Sequence, residues 1–151
     1  MDNSHRFHTD ETWLWVRAEH LVLSIILSIL TLQHRADVAW DRFVVAFVLI
    51  DLVGYIPGAI AYRRANGGVI APLYHHLYNV THSYLTAGIV CGMWTLLAGA
   101  PEWAMLAIPI HLSGDRGLFG NTYKPTSLPF EPFTITQTIT NPAALVHKDA
   151  K

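Results

Sequence analysis

Hydrophobic residues gather into four long stretches, residues 13–32, 43–62, 73–98 and 102–120, separated by short polar, glycine- or proline-bearing breaks. The first two are each roughly 20 residues, the helix length that the hydrocarbon core of a bilayer demands. Trp13 and Trp15 at the start of the first fit an interfacial aromatic belt. The second ends at Arg63-Arg64, an interfacial stop, and carries Gly54, Pro57 and Gly58, which membrane helices tolerate because neighbours satisfy the freed backbone groups. Asn66-Gly67-Gly68 signals a turn before the third stretch. There Gly88 and Gly92 form a small-xxx-small pair suited to close helix approach. The fourth is the weakest by hydropathy, since Pro109, His111, Ser113, Asp115 and Arg116 interrupt it. The pattern predicts an all-α, integral membrane four-helix antiparallel bundle. A polar lead over residues 1–12 precedes it, and a Pro/Thr-rich tail over residues 121–151 follows, extended along the cytoplasmic face and partly disordered.

Composition sharpens this picture. With 52% hydrophobic and 14% charged residues, the chain is more apolar than soluble domains, where about a quarter of residues are charged. A formal net charge of -1 without clustered Lys or Arg argues against a nucleic-acid partner. The single cysteine, Cys91, rules out an internal disulfide and a multi-cysteine zinc site, and in its apolar run reads as a small buried hydrophobe. The polar start and the length of the stretch that follows argue against a cleavable signal peptide. With four spans, Arg6, Arg63, Arg64, Lys124, Lys148 and Lys151 share one side, against Arg35 and Arg42 on the other. The positive-inside bias then places both termini in the cytoplasm.

Ionisable and strongly polar residues sit inside every stretch: Arg17 and Glu19, then Asp51, then Asn79 and His82, then His111, Asp115 and Arg116. A charge at membrane depth is costly, so such groups face a bundle interior and pair or do chemistry. Counted from the cytoplasmic ends at 1.5 Å per residue, they fall within roughly 8–16 Å of that boundary. His75, Asn79 and His82 follow i, i+4, i+7 and share one helix face, and His111 and Asp115 are i, i+4 neighbours. Arg17 and Glu19 are two apart and cannot both face inward; Glu19 is expected to turn inward and Arg17 to snorkel to the headgroups. The expected site is therefore Glu19, Asp51, Asn79, His82, His111, Asp115 and Arg116.

Three chemistries fit this set. One is an interhelical hydrogen-bond network in an accessory or structural membrane protein, each bond worth about 1 kcal/mol or less. Another is acid–base chemistry on a lipophilic molecule, since desolvation brings carboxyl and imidazole proton affinities together near neutrality. Isomerisation, cyclisation or epoxide opening would suit it. Asp115 or Glu19 would then be the general acid, His82 or His111 the base, Asn79 a polarising donor, and Arg116 the group that keeps the carboxylates in register. The third is a zinc or non-haem iron site from His75, His82 and His111 with Glu19 or Asp115, although no H-E-x-x-H or Glu-x-x-His motif accompanies it. Partners expected are the lipid bilayer and a hydrophobic small molecule such as a polyketide or terpenoid; no cofactor is expected.

Arg17-Ala18-Glu19, Asp51 with Gly54-Tyr55, Tyr78-Asn79 with His82-Ser83-Tyr84, and His111 with Asp115, Arg116, Gly120 and Lys124 carry a resemblance. Together they resemble a family of small, mostly bacterial integral membrane proteins defined only as a domain of unknown function. Its elements read R-x-E, an Asp before Gly-Tyr, Y-N-x-x-H-[ST]-Y and H-x-x-x-D-R-x-x-G-x-x-x-K. The match spans about residues 16–124 and implies a four-helix protein of a bacterial inner membrane with no established reaction. After the lysine the family carries a short acidic, His-containing element. This chain has Pro125 to Pro132 there, with Glu131 as the acidic residue.

Overall fold

The computed structural model describes residues 9–131, and every regular element among them is helical. The expectations for residues 1–8 of the lead and 132–151 of the tail lie outside the described residues. Helix α1, Asp10–Gln33, starts earlier than hydropathy predicts because Thr9 and Thr12 cap each other. The Thr12 N–H donates to Thr9 Oγ1 at 3.2 Å and the Thr9 N–H to Thr12 Oγ1 at 2.8 Å. Helices α2, Trp40–Gly54, and α3, Ile56–Arg64, form one apolar stretch broken at Tyr55. Pro57 lies in the first turn of α3, where its missing N–H costs little, and its ring denies the preceding turn a continuous ladder. After α3, Asn66 (φ 50°) and Gly67 (φ 79°) take the left-handed conformation that the Asn-Gly-Gly signal predicts.

Stretch 73–98, a single span by hydropathy, is two helices, α4 at Pro72–Thr81 and α5 at Tyr84–Ala98. The break falls at His82 (φ −94°, ψ 20°), and the Ser83 hydroxyl caps α5 by accepting from the Leu85 N–H at 3.2 Å. The fourth stretch is subdivided further, into a 3-10 turn at Trp103–Leu106, helix α6 at Ala107–Gly114, and a π-helical turn at Asp115–Phe119 ended by left-handed Gly120.

Helix α6 contacts α1, α2 and α5 and buries Ala107, Ile108, His111, Leu112 and Ser113. The stretch with the weakest hydropathy thus occupies the centre. The most apolar helices behave in the opposite way. Glu11–Gln33 and Trp40–Arg64 are long and apolar enough to cross a membrane, yet only 6% and 17% of their most apolar windows are buried. Helix α1 turns Arg17, Ser24 and Thr31 toward the rest of the chain and leaves Leu14, Trp15, Ile25 and Ile29 exposed.

Two apolar clusters, one of Ile50, Ala87, Ile108 and Leu112 and one of Ala59, Tyr62, Tyr78 and Phe130, anchor the packing. Cys91, partly buried, packs against the first. The close approaches fall at Gly54, Gly58 and Gly117. At Gly88 and Gly92, where the sequence predicts one, a Cβ would meet nothing within 4 Å among the described residues.

Candidate functional site

Asp51 from α2, His82 from the α4–α5 break, His111 from α6 and Asp115 from the π-helical turn converge. His82 Nε2 lies 3.3 Å from Asp51 Oδ1 and 3.4 Å from Asp115 Oδ2, and His111 Nε2 lies 3.5 Å from Asp51 Oδ1. Both imidazoles are buried, 5% exposed each, whereas the Asp115 and Asp51 side chains are 17% and 41% exposed.

Local sequence explains these placements. Gly54 lets the end of α2 press on the end of α4: a Cβ there would overlap Thr81 Oγ1 and stand 3.2 Å from His82 Nδ1. Asp51, one turn earlier, is thereby set beside His82. The His82 ring stacks on Tyr78, with centroids 3.9 Å apart and planes 15° from parallel. Its Nδ1 lies 3.1 Å from the Tyr78 carbonyl and 3.0 Å from Thr81 Oγ1. The Thr81 hydroxyl directs its own proton at the Leu77 and Tyr78 carbonyls. The hydrogen therefore belongs on His82 Nδ1, and Nε2 turns its lone pair toward two carboxylates. Such a lone pair is repelled unless positive charge, a proton or a cation, lies between. His82 Nε2 and both His111 nitrogens make no directed hydrogen bond.

The structure places several of the expected site residues elsewhere. Glu19 is exposed on α1, and Arg17 turns inward instead, donating from Nε to the Gly117 carbonyl at 3.3 Å and from Nη2 to the Leu118 carbonyl at 3.0 Å. The cause is the contact at Gly117, where a Cβ would stand 2.6 Å from Leu21 N. The α1 face holding Arg17, Leu21 and Ser24 must meet the fourth stretch, and Glu19 then points away. Asn79 is no free donor: Oδ1 accepts from the Lys124 N–H at 2.7 Å and Nδ2 donates to the Lys124 carbonyl at 3.0 Å. Arg116 does not hold the carboxylates in register. It donates to the His82 carbonyl at 3.1 Å and lies 4.4 Å over the Tyr84 ring, fixing the helix break. His75 shares a face with His82 but not a site, since its Nε2 lies 3.2 Å from the Leu128 carbonyl and its ring meets Phe130 edge-on. The metal set built on His75 is not assembled.

Other residues around the cluster escape the sequence reading. His20 stacks on Tyr84 at 5.8 Å, with the Tyr84 hydroxyl 3.4 Å from His20 Nδ1. The helical recurrence of positions 17, 20, 24, 28 and 31 as polar or small residues in α1 is the signal that could have found it. Phe130, 1% exposed, occupies the space that a Cβ on Gly58 would take. Lys124 Nζ donates to the Phe130 carbonyl at 2.6 Å and sits 4.8 Å from the Tyr78 ring. Burial pushes the Lys124 ammonium below its ordinary pKa, against the raising influence of Glu131 and Asp115. The first residues of the expected tail therefore dock beneath Tyr78, which carries His82.

Two cavities border α2. The larger, about 470 Å³, is an apolar groove along Val45, Leu49, Val90, Trp94 and Ile108 and includes none of the four converging residues. The smaller, about 230 Å³, has Asp51, His111 and Asp115 in its wall, together with Phe47, Ile110, Leu118 and Phe119. The cluster borders the smaller one. No protein-family model, curated protein or solved structure matches the chain.

Proposed function

We propose that this is a multi-pass integral membrane protein whose Asp51, His82, His111 and Asp115 centre performs acid–base chemistry on a lipophilic small molecule, by isomerisation, cyclisation or epoxide opening. In this reading, residues 13–32, 43–62, 73–98 and 102–120 are four antiparallel spans of a bacterial inner membrane, with both termini cytoplasmic. Membership of the small membrane-protein family that the chain resembles belongs to the same proposal. Inverted burial supports the membrane part. A long apolar helix in a soluble protein is mostly buried, whereas α1 and α2 leave Leu14, Trp15, Val44, Val45 and Leu52 exposed while polar groups pack inside.

The chemistry rests on one observation: ionisable groups converge at the wall of an otherwise apolar cavity. Its volume suits the reacting end of a molecule whose remainder lies in lipid beside exposed Leu118 and Phe119. Asp115 faces that cavity and is the group that passes a proton to or from the substrate; the imidazole of His82, 3.4 Å from its Oδ2, balances its charge when protonated. A purely structural network fits less well, because His111 keeps both ring nitrogens buried without a directed hydrogen bond. Leaving such groups unmet costs about 1–3 kcal/mol, which a network selected for stability would recover. Untargeted mass spectrometry of solvent extracts, from membranes of native cells carrying wild-type or Asp115→Asn protein, tests the reading. At least one apolar species should accumulate or vanish in the variant while its unfolding temperature in detergent holds. Identical extracts, with a markedly less stable variant, would assign the cluster to stability alone.

A further inference from the structure

We infer that Asp51, His82 and His111 form a mononuclear site for a divalent transition metal of the zinc or iron(II) class, with Asp115 beside it as proton acceptor for a metal-bound water. This metal site rests on the acid–base reading and supplies its cofactor. A tetrahedral ion with bonds of roughly 2.0–2.1 Å holds its ligand atoms about 3.3 Å apart. Asp51 Oδ1 is 3.3 Å from His82 Nε2 and 3.5 Å from His111 Nε2, and the three ligand atoms all lie within 4.8 Å of one another. The two separations from Asp51 Oδ1 match the edges of such a polyhedron, and neither imidazole Nε2 makes a directed hydrogen bond.

The chemistry of the donors agrees. Two imidazoles and one carboxylate suit zinc or iron(II), whereas calcium and magnesium take oxygen ligands. The Tyr78 carbonyl accepts from His82 Nδ1, the outer-shell contact that fixes a ligating tautomer and leaves Nε2 to the ion. His111 is oriented by a T-shaped contact with the Phe47 ring, with centroids 4.7 Å apart. Three protein ligands beside a cavity leave a coordination position open, the pattern of a catalytic rather than a structural metal. Asp115 Oδ2, 3.4 Å from His82 Nε2, stands within reach of a water in that position. One proton then moves from the water to Asp115, the O–H electron pair stays on oxygen as metal-bound hydroxide, and the metal keeps its oxidation state.

Elemental analysis of the full chain purified in detergent, followed by chelator stripping and titration with cobalt(II), tests the site. Wild type and Asp115→Asn should each take up a single cobalt with visible d–d bands, and the elemental analysis should name zinc or iron. Asp51→Asn and His111→Gln should weaken cobalt affinity by about 100-fold or more, beyond the 10–100-fold typical of outer-shell changes. Asp115→Asn should displace the pH titration of the wild-type bands without loss of metal. Asp51→Asn is isosteric and carries the test should His111→Gln fail to fold. Folded wild type that takes up no cobalt, or an Asp51→Asn protein that binds it as tightly, would overturn the site. Cobalt uptake with extracts indifferent to Asp115 would keep the metal and remove the enzymatic reading; Asp115-dependent extracts without metal uptake would do the reverse.

Discussion

The carboxamide of Asn79 satisfies both backbone groups of Lys124, a residue outside any helix, through its Oδ1 and Nδ2 contacts of 2.7 and 3.0 Å. Every partly buried N–H and C=O needs such a partner, and here one side chain supplies two. Asn79→Ala strands both, so unfolding in detergent should come earlier by about 1–3 kcal/mol. Asn79→Asp retains the acceptor but turns a second carboxylate oxygen toward the Lys124 carbonyl, and should be no better than Asn79→Ala. Wild-type stability in both variants would mean that residues 121–131 dock through Phe130 alone. The same residue shows how spacing misleads: His75, Asn79 and His82 share a helix face, yet only His82 reaches the carboxylates.

Helix positions are decided by which glycines meet a neighbour. Gly117→Ala would place a Cβ 2.6 Å from Leu21 N and 2.8 Å from its Cα, against backbone that cannot give way. Helix α1 must then retreat and draw Arg17 off the Gly117 and Leu118 carbonyls, for an expected loss of about 1–3 kcal/mol. Gly88→Ala meets nothing within 4 Å among the described residues and removes a glycine from within α5, so it should stabilise by about 0.5–1 kcal/mol. Parallel thermal unfolding of the two variants checks the contrast. A destabilising Gly88→Ala would indicate that α5 packs on something beyond the described residues. The helix breaks act at the same scale: Pro57 interrupts the second stretch and His82 the third, and each break sits beside the cluster.

For the whole molecule, the four-span proposal puts the turn after α1 and the turn after α3 on opposite faces of the membrane. Asp37 and Asn66 are exposed there, and Cys91→Ser provides a cysteine-free background. A membrane-impermeant maleimide should label Asp37→Cys in intact spheroplasts and Asn66→Cys only after lysis. Labelling of both positions before lysis would dismiss the topology, and release of the protein by alkaline carbonate would dismiss membrane insertion itself.

The all-helical class, the two long apolar stretches and the Asn66-Gly67 turn were legible in the sequence, because composition, length and local backbone preference encode them without reference to distant residues. That Asp51, His82, His111 and Asp115 come together was legible too, since ionisable residues inside apolar stretches are costly unless they face one another. Only the tertiary structure decided that Arg17 rather than Glu19 turns inward, that Asn79 serves Lys124, and that the least hydrophobic stretch is central. The direction of a side chain depends on which face its helix offers to a neighbour, and contacts at Gly54 and Gly117 set that face. In sequence those glycines look no different from Gly88 and Gly92, which meet nothing among the described residues.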